Sequence, residues 1–507
     1  MRDDEVADLL DSDERLVVIE APAGTGKTYQ GANYARREAS RQARGRILIL
    51  THTHAACGVF ADATKADSSR VEIKTIDSLI AQIAGAYHKT LDLPADPSAW
   101  ARREQNGYAI LAERVSKLLT EKPMVANALA DRFPVVIGDE HQDASGHQNT
   151  IMLRIHEAGA KLRVFGDPMQ QIFRGPTRDW FEQSRRRWCT LKQRAAFGEL
   201  EHPHRWESGS PALGAWILEA RRRLKEGQPI DLSGDLPEGM RVLRLENTAQ
   251  TRTGYQVPNA SRRPLDEIVG GADELLILTD QNETTKALRA FWNRRIPIWE
   301  GFTRDDLGRL ANDLAGDEIT PEAACTALST FMSSICVGYS ASSHGNRLAQ
   351  EVGEGCARAS RGKPALLQEI GRKILAEPNH KGVAAALRRI DQFRAEGAAG
   401  FSDIRIDHQS ELRDAIRMGE FESAEDALAE LHRRRSYTRP KPPRKAISTI
   451  HKAKGLECDH AVLLPCDAGR YRDIEYARCK LYVALSRARS SLTLSVCPND
   501  PGPLFAF

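Results

Sequence analysis

The chain has 507 residues, 41% of them apolar and 28% charged, with a formal net charge of +3. That is enough chain for about three or four globular domains, each able to bury a core. No run approaches the roughly 18 uninterrupted apolar residues of a membrane span, the acidic start Met1-Arg2-Asp3-Asp4-Glu5 lacks a signal-peptide core, and the charge balance does not by itself point to nucleic acid.

Leu16 to Glu20 reads as a short buried strand, followed by a Gly-rich turn and a helical stretch through the Ala35 region. The turn is Ala21-Pro22-Ala23-Gly24-Thr25-Gly26-Lys27-Thr28, in the strand-to-helix setting that a phosphate-binding loop requires. Gly24 and Gly26 let backbone N–H groups turn toward phosphates, Lys27 supplies a point charge, and Thr28 offers a hydroxyl to Mg²⁺. Further strands are predicted at Arg46 to Thr51, Val71 to Lys74, Pro134 to Gly138 and Leu162 to Gly166. Short apolar strands separated by helices imply a parallel sheet covered on both faces. Between them, Thr64-Lys65-Ala66-Asp67 looks like the guanine-reading tetrapeptide of GTP-binding proteins but precedes Asp139 in the chain, so it is read as a surface turn.

The strand at Val135-Val136-Ile137-Gly138 runs into Asp139-Glu140-His141-Gln142-Asp143. A carboxylate at a strand end beside the phosphate loop suits Mg²⁺, and its neighbour Glu140 suits orienting or deprotonating a water. The next strand runs into Gly166-Asp167-Pro168-Met169-Gln170-Gln171-Ile172-Phe173, where Gln170 is placed to sense a γ-phosphate. Phe173 is either a base-stacking platform or an ordinary core aromatic. Arginine runs at 185–187, 221–223 and 433–435 form either basic stripes or solvated helix faces.

Strands return at Met240 to Leu245, Glu274 to Thr279, Ala446 to Ile450, His460 to Leu464 and Leu492 to Val496, with a linker predicted at Pro440 to Pro443. The layout predicted is a first α/β core at 1–200 with a short insertion at about 84–132. A second core follows at 201–302 and 438–507, interrupted by a mostly helical insertion at 303–437. Nine scattered cysteines without a C-x-x-C pair argue against a zinc site and fit reduced thiols in a cytoplasm; no metal is expected beyond the magnesium that accompanies a nucleotide.

The order of these boxes, with His204-Arg205-Trp206, Thr449 to Glu457 and Tyr482 to Ala488, resembles the UvrD/Rep/PcrA-like helicases of superfamily one. The resemblance spans residues 16 to 496 and implies two RecA-like P-loop cores with ATP between them. It implies catalytic roles for Lys27, Asp139, Glu140, Gln170, Arg205 and Arg487, the two arginines placing positive charge on the transferring phosphoryl group from the far core. ATP would lie on Ala21 to Thr28, His204, Gly455 and Glu457, and Mg²⁺ on Thr28 and Asp139. Thr51, His52, Thr53, Thr75, Phe173, Thr449 and His451 would face single-stranded or tailed DNA.

The resemblance further implies a 3′→5′ translocase or helicase. The rival expectation is an NTPase that senses DNA ends or nucleotides and gates a partner nuclease with little unwinding. A small-molecule kinase fits neither two cores nor paired arginines. Among the sequence's departures from the family pattern, Asp4 to Arg15 has no glutamine to read adenine, His204 replaces a stacking tyrosine, and Arg174-Gly175 follows Phe173 where a tryptophan is usual. The compact layout, ending within about twenty residues of Arg487, leaves no room for a RecB-like nuclease domain. It resembles the GajB-type subunit of Gabija antiphage systems, which is paired with an OLD-family nuclease; roles in DNA repair and antiphage defence both remain open.

Overall fold

The computed structural model describes residues 1–507 except 43, 105, 174–178, 246–248, 252–253, 258, 301–304, 317, 359 and 439–440. Arg174, Gly175, Pro440 and the predicted boundary at 302/303 therefore lie outside the described residues, as do the side chains of Arg433 and Arg435.

The first sheet has six parallel strands: β1 (Leu16–Glu20), β2 (Ile47–Thr51), β3 (Val71–Thr75), β4 (Val135–Gly138), β5 (Lys161–Gly166) and β6 (Ala196–Glu199), in the order β3-β2-β4-β5-β1-β6. Successive residues alternate faces, so Val17, Ile19, Ile49, Ile137 and Phe165 pack with Tyr34 and Phe60 on one side. Val18, Leu48, Leu50, Val136, Leu162 and Val164 pack with Leu111, Val115, Ile151 and Ile155 on the other. Each such side chain contributes roughly 1.5–3 kcal/mol on burial. Strand β6 was not predicted: it is a half-buried edge strand whose one fully buried residue is Gly198, so no apolar run marks it.

The connections fix where chemistry gathers. Every β1–β5 strand is parallel to its neighbours, so the segments that follow them all emerge at one edge. That edge carries the phosphate loop, Thr51 to His54, Thr75, Asp139 to Asp143, and Asp167 to Gln170.

The second sheet is also parallel, with β7 (Met240–Arg244), β8 (Leu275–Thr279), β9 (Lys445–Thr449), β10 (Cys458–Cys466) and β11 (Ala488–Val496) in the order β9-β8-β10-β11-β7. With their flanking helices, the two sheets are two parallel α/β cores. Residues Met1–Ile296 and Pro443–Phe507 form one compact unit that contains both.

Residues Pro297–Pro442 form a second unit. It is mostly helical, with helices including Pro321–Ile335, Lys363–Ala376 and His380–Ala395 around a core of Leu328, Phe331, Met332, Leu387 and Phe393. Its helix ends are tied by carboxylates: Glu300 accepts the Ser410 and Glu411 amides, and Glu411 accepts the Leu307 amide at 2.7 Å.

Candidate active site

The phosphate loop leaves β1 and enters the helix Lys27–Arg41. Gly24 and Gly26 have φ of +75° and +83°, the left-handed region that glycine tolerates best. A Cβ on Gly24 would also lie 2.6 Å from the Arg205 Cβ, so the loop is packed against the His204–Trp206 turn. The Arg205 amide donates to the Gly24 carbonyl at 3.0 Å, and the Ala23 amide donates to the Tyr482 hydroxyl at 2.8 Å. Ala21, Ala23 and Thr25 are buried, and Thr25 Oγ1 donates to the Pro22 carbonyl.

Asp139 and Glu140 arrive from the end of β4, with Glu140 held at φ +51°. Lys27 Nζ lies 3.2 Å from Asp139 Oδ1 and pairs still more closely with Glu140. Burial opposes all three charges, but the carboxylates hold the Lys27 ammonium above its ordinary range, and Lys27 with Lys454 holds Glu140 well below its own. Asp139 goes the other way, raised by burial and by Glu140 beside it. Its buried Oδ1 has the Lys27 ammonium as its partner and no further hydrogen bond. Two carboxylates against one ammonium leave surplus negative charge that fits a divalent cation, and half-buried Thr28, at the start of the same helix, completes the pair of residues that would hold it.

Residues from the far core close on this loop. Arg205 pairs with Glu457 at 2.7 Å and donates from Nη1 to the Ser486 carbonyl. Arg487 is 2% exposed and donates to the carbonyls of Val483 and Leu456 and to Ser486 Oγ. Burial and the neighbouring Arg205 push its guanidinium down to about 9. The two arginines thus share Ser486, with Arg487 committed to carbonyls in this state. Gly455 is exposed, at φ +87°.

Gln170 is buried and donates to Asp167 Oδ2 at 3.0 Å, so its amide faces the strand end in this state. Gln142 joins the two acidic boxes, donating to Glu140 and accepting the Asp167 amide at 3.0 Å. Asp167 also takes Arg221 at 2.9 Å, and Arg221 reaches Glu20 at 2.5 Å and Glu199 at 2.8 Å. Each arginine run has described side chains held in ion pairs. Arg221 is buried; Arg222 pairs with Glu219 and Glu226; Arg185 pairs with Glu475; Arg434 pairs with Glu430.

Among the strand-facing candidates, Thr51 and Thr75 are buried. Thr51 Oγ1 donates to the Thr53 carbonyl, while Thr75 and Thr53 cap the helices Ile76–Ala86 and His54–Ala63. Thr449 is buried too. His52 is half-buried and pushed down to about 4 by desolvation, hence neutral. Phe173 is 44% exposed, with the His451 ring 6.5 Å away and Lys454 Nζ 4.8 Å from its centroid. His451 Nε2 lies 2.8 Å from the Tyr476 hydroxyl. Phe173, His451 and Lys454 therefore gather as a set.

Lys454 had no assigned role in the sequence, although it lies inside a family box. It donates to Asp143 at 2.5 Å and to the Gln170 carbonyl at 2.9 Å, joining the two cores. Asp143 is pushed up to about 6, burial outweighing Lys454. A carboxylate whose folded pKa is raised loses stability as pH climbs from about 4 through about 6. Lys454→Met removes the compensating charge, so its thermal midpoint should fall more steeply than the parent's between pH 5 and pH 8. The expected loss at pH 8 is about 3 kcal/mol; equal slopes by calorimetry would remove Lys454 from this role.

Comparison with known families matches residues 3–185 to the AAA domain and residues 446–495 to the UvrD-like helicase C-terminal domain. The crystal structure of Pif1 helicase from Candida albicans is similar at 13% identity and a TM-score of 0.31, over 58% of this chain; the chain spans 54% of that one. No curated protein matches the chain.

Proposed function

We propose that this chain, a superfamily-one helicase by its AAA domain and its UvrD-like helicase C-terminal domain, is a DNA-dependent ATPase that translocates 3′→5′ on single-stranded DNA. The observation that carries the reading is the seam at the phosphate loop. Lys27, Asp139 and Glu140 meet on one side, and Arg205 ties the Gly24 carbonyl to Glu457 on the other.

Mg²⁺, when bound by Thr28 and Asp139, would screen the triphosphate oxygens. Lys27 leaves its carboxylates for the phosphates, and Glu140, ionised at neutral pH, accepts a proton from the attacking water. Arg205 is the nearer source of positive charge for the transferring group; Arg487 reaches it only by releasing its carbonyls. Closing and opening of this seam would pass grip on the strand between cores, near Phe173 and Lys454. The direction rests on the family resemblance alone, as does the placing of the activity in DNA repair or antiphage defence beside a partner nuclease.

The test is ATP turnover with and without single-stranded oligonucleotide, beside strand displacement on 3′- and 5′-tailed duplexes. Turnover stimulated by the oligonucleotide, displacement from the 3′ tail only, and loss of turnover by about 10²–10³-fold in Glu140→Gln are expected. Displacement from the 5′ tail reverses the direction, stimulation without displacement favours the gating subunit, and turnover indifferent to DNA ends the proposal.

A further inference from the structure

The turn that carries Arg205 also carries His204, expected from the sequence to border the nucleotide, and beside it His202 and Glu207, which the nucleotide site does not use. His202 Nε2 lies 2.6 Å from Glu207 Oε1, and His204 Nδ1 lies 3.0 Å from the same oxygen. The other nitrogen of His204, Nε2, lies 2.6 Å from Asp3 Oδ2. The two rings are 4.4 Å apart, edge to face. All three ligand atoms, two nitrogens and one oxygen, fall within 4.8 Å of one another.

The geometry sets a proton problem. A neutral imidazole has one donor and one acceptor. If His204 donates from Nε2 to Asp3, its Nδ1 lone pair faces the Glu207 carboxylate at 3.0 Å, which is repulsive unless a cation lies between them. Protons satisfy the cluster if His204 as an imidazolium donates to both carboxylates while His202 also donates to Glu207 Oε1. One divalent cation satisfies all three atoms at once. The carboxylate behind the ring is then the partner a metal-bound histidine ordinarily has, fixing its tautomer and raising its basicity.

The scaffold is already in place. The His204 amide donates to the His202 carbonyl, and the Glu207 amide to the His204 carbonyl. Between them Trp206 is fully buried, its Nε1 donating to the Ala488 carbonyl at 2.7 Å. Asp3 belongs to the helix Asp3–Asp11, anchored by Val6 and Leu10. Little order must therefore be imposed on binding.

We propose that His202, His204 and Glu207 form a binding site for one divalent transition-metal ion of the zinc class, with Asp3 orienting His204. Two imidazole nitrogens and one carboxylate oxygen suit Zn²⁺, Co²⁺ or Ni²⁺; Mg²⁺ prefers oxygen alone and does not compete. The site is open on its solvent side, so water completes the coordination. A Cβ on Gly26 would lie 3.2 Å from the His204 Cδ2, so the ion fixes a ring that borders the phosphate loop. The site is distinct from the Mg²⁺ pair Thr28 and Asp139, and its existence does not depend on the motor reading. The scattered-cysteine argument against zinc does not reach it, because its ligands are a His-x-His turn and a glutamate.

Titration of the full-length protein with Co²⁺, followed by visible absorption and by competition with Zn²⁺, tests this. One equivalent is expected, displaced by Zn²⁺ and unaffected by Mg²⁺. His202→Ala and Glu207→Gln, both at exposed positions, should each weaken binding at least tenfold with unchanged circular dichroism. Asp3→Asn should weaken it about 10–100-fold, the range for an outer-shell carboxylate. Undiminished binding in both His202→Ala and Glu207→Gln, or no Co²⁺ spectrum in the parent, overturns the proposal. Cys189→Ser, which alters an exposed thiol elsewhere, should leave the titration unchanged; loss of binding there would assign the ion to the thiol instead.

Discussion

A Lys27→Ala chain is expected to lose ATP turnover by on the order of 10³-fold, and to lose stability in a manner that Mg²⁺ restores. The first effect follows from removing the charge that meets the phosphates. The second follows from the nucleotide-free geometry, in which Lys27 is the cation between Asp139 and Glu140. Without it, two adjacent carboxylates share a buried strand end.

Glu140 has its folded pKa depressed, so its contribution is present above the ordinary carboxylate pKa and is lost as pH falls through the folded value. The stability gap between parent and variant should therefore be widest near neutral pH and narrow in acid. It should also narrow when Mg²⁺ is added without nucleotide. Thermal unfolding at pH 4 and pH 7, with and without Mg²⁺, reads both effects. A variant as stable as the parent at pH 7 without Mg²⁺ would show that Lys27 does not neutralise the pair.

The second large effect belongs to a residue outside any signature box. Arg221→Met should destabilise the chain by about 3–5 kcal/mol, because Glu20 and Asp167 would be left buried without their main partner. Burial would raise Glu20, but Arg221, with Lys225 and Lys192, lowers it to about 2. The stabilisation is thus present above about pH 4.5 and fades as pH falls toward 2, so parent and variant should converge in acid. Arg222→Met, one residue along on the exposed face, should unfold with the parent. Equal midpoints for the parent and the Arg221 variant at pH 7 would sink the account.

Much of the nucleotide site was legible because its geometry is local. A strand, two glycines and a lysine make the loop at 21–28 whatever surrounds it, and the β4 strand ending in Asp139-Glu140 likewise advertises its own position. Strands such as β1, β2 and β4 were plain as apolar runs because both faces are covered. Edge strand β6 had no such run and was missed. The arginine triplets left two readings open for the opposite reason: three like charges in a row say nothing about which carboxylates lie opposite, and Arg221 is interior.

What the residues dictate without long-range help is the pattern of elements and the chemistry each loop end carries, since periodicity, caps and glycine conformations act within a few residues. Meetings between distant positions are another matter. Lys454 with Asp143, Tyr482 with the Ala23 amide, Arg221 with Glu20 and His204 with Asp3 join residues 201 to 459 positions apart. Such pairs form only when two sheets and their connections close on one another. Charge, burial and hydrogen bonding at those seams depend on that closure, which no stretch of sequence contains.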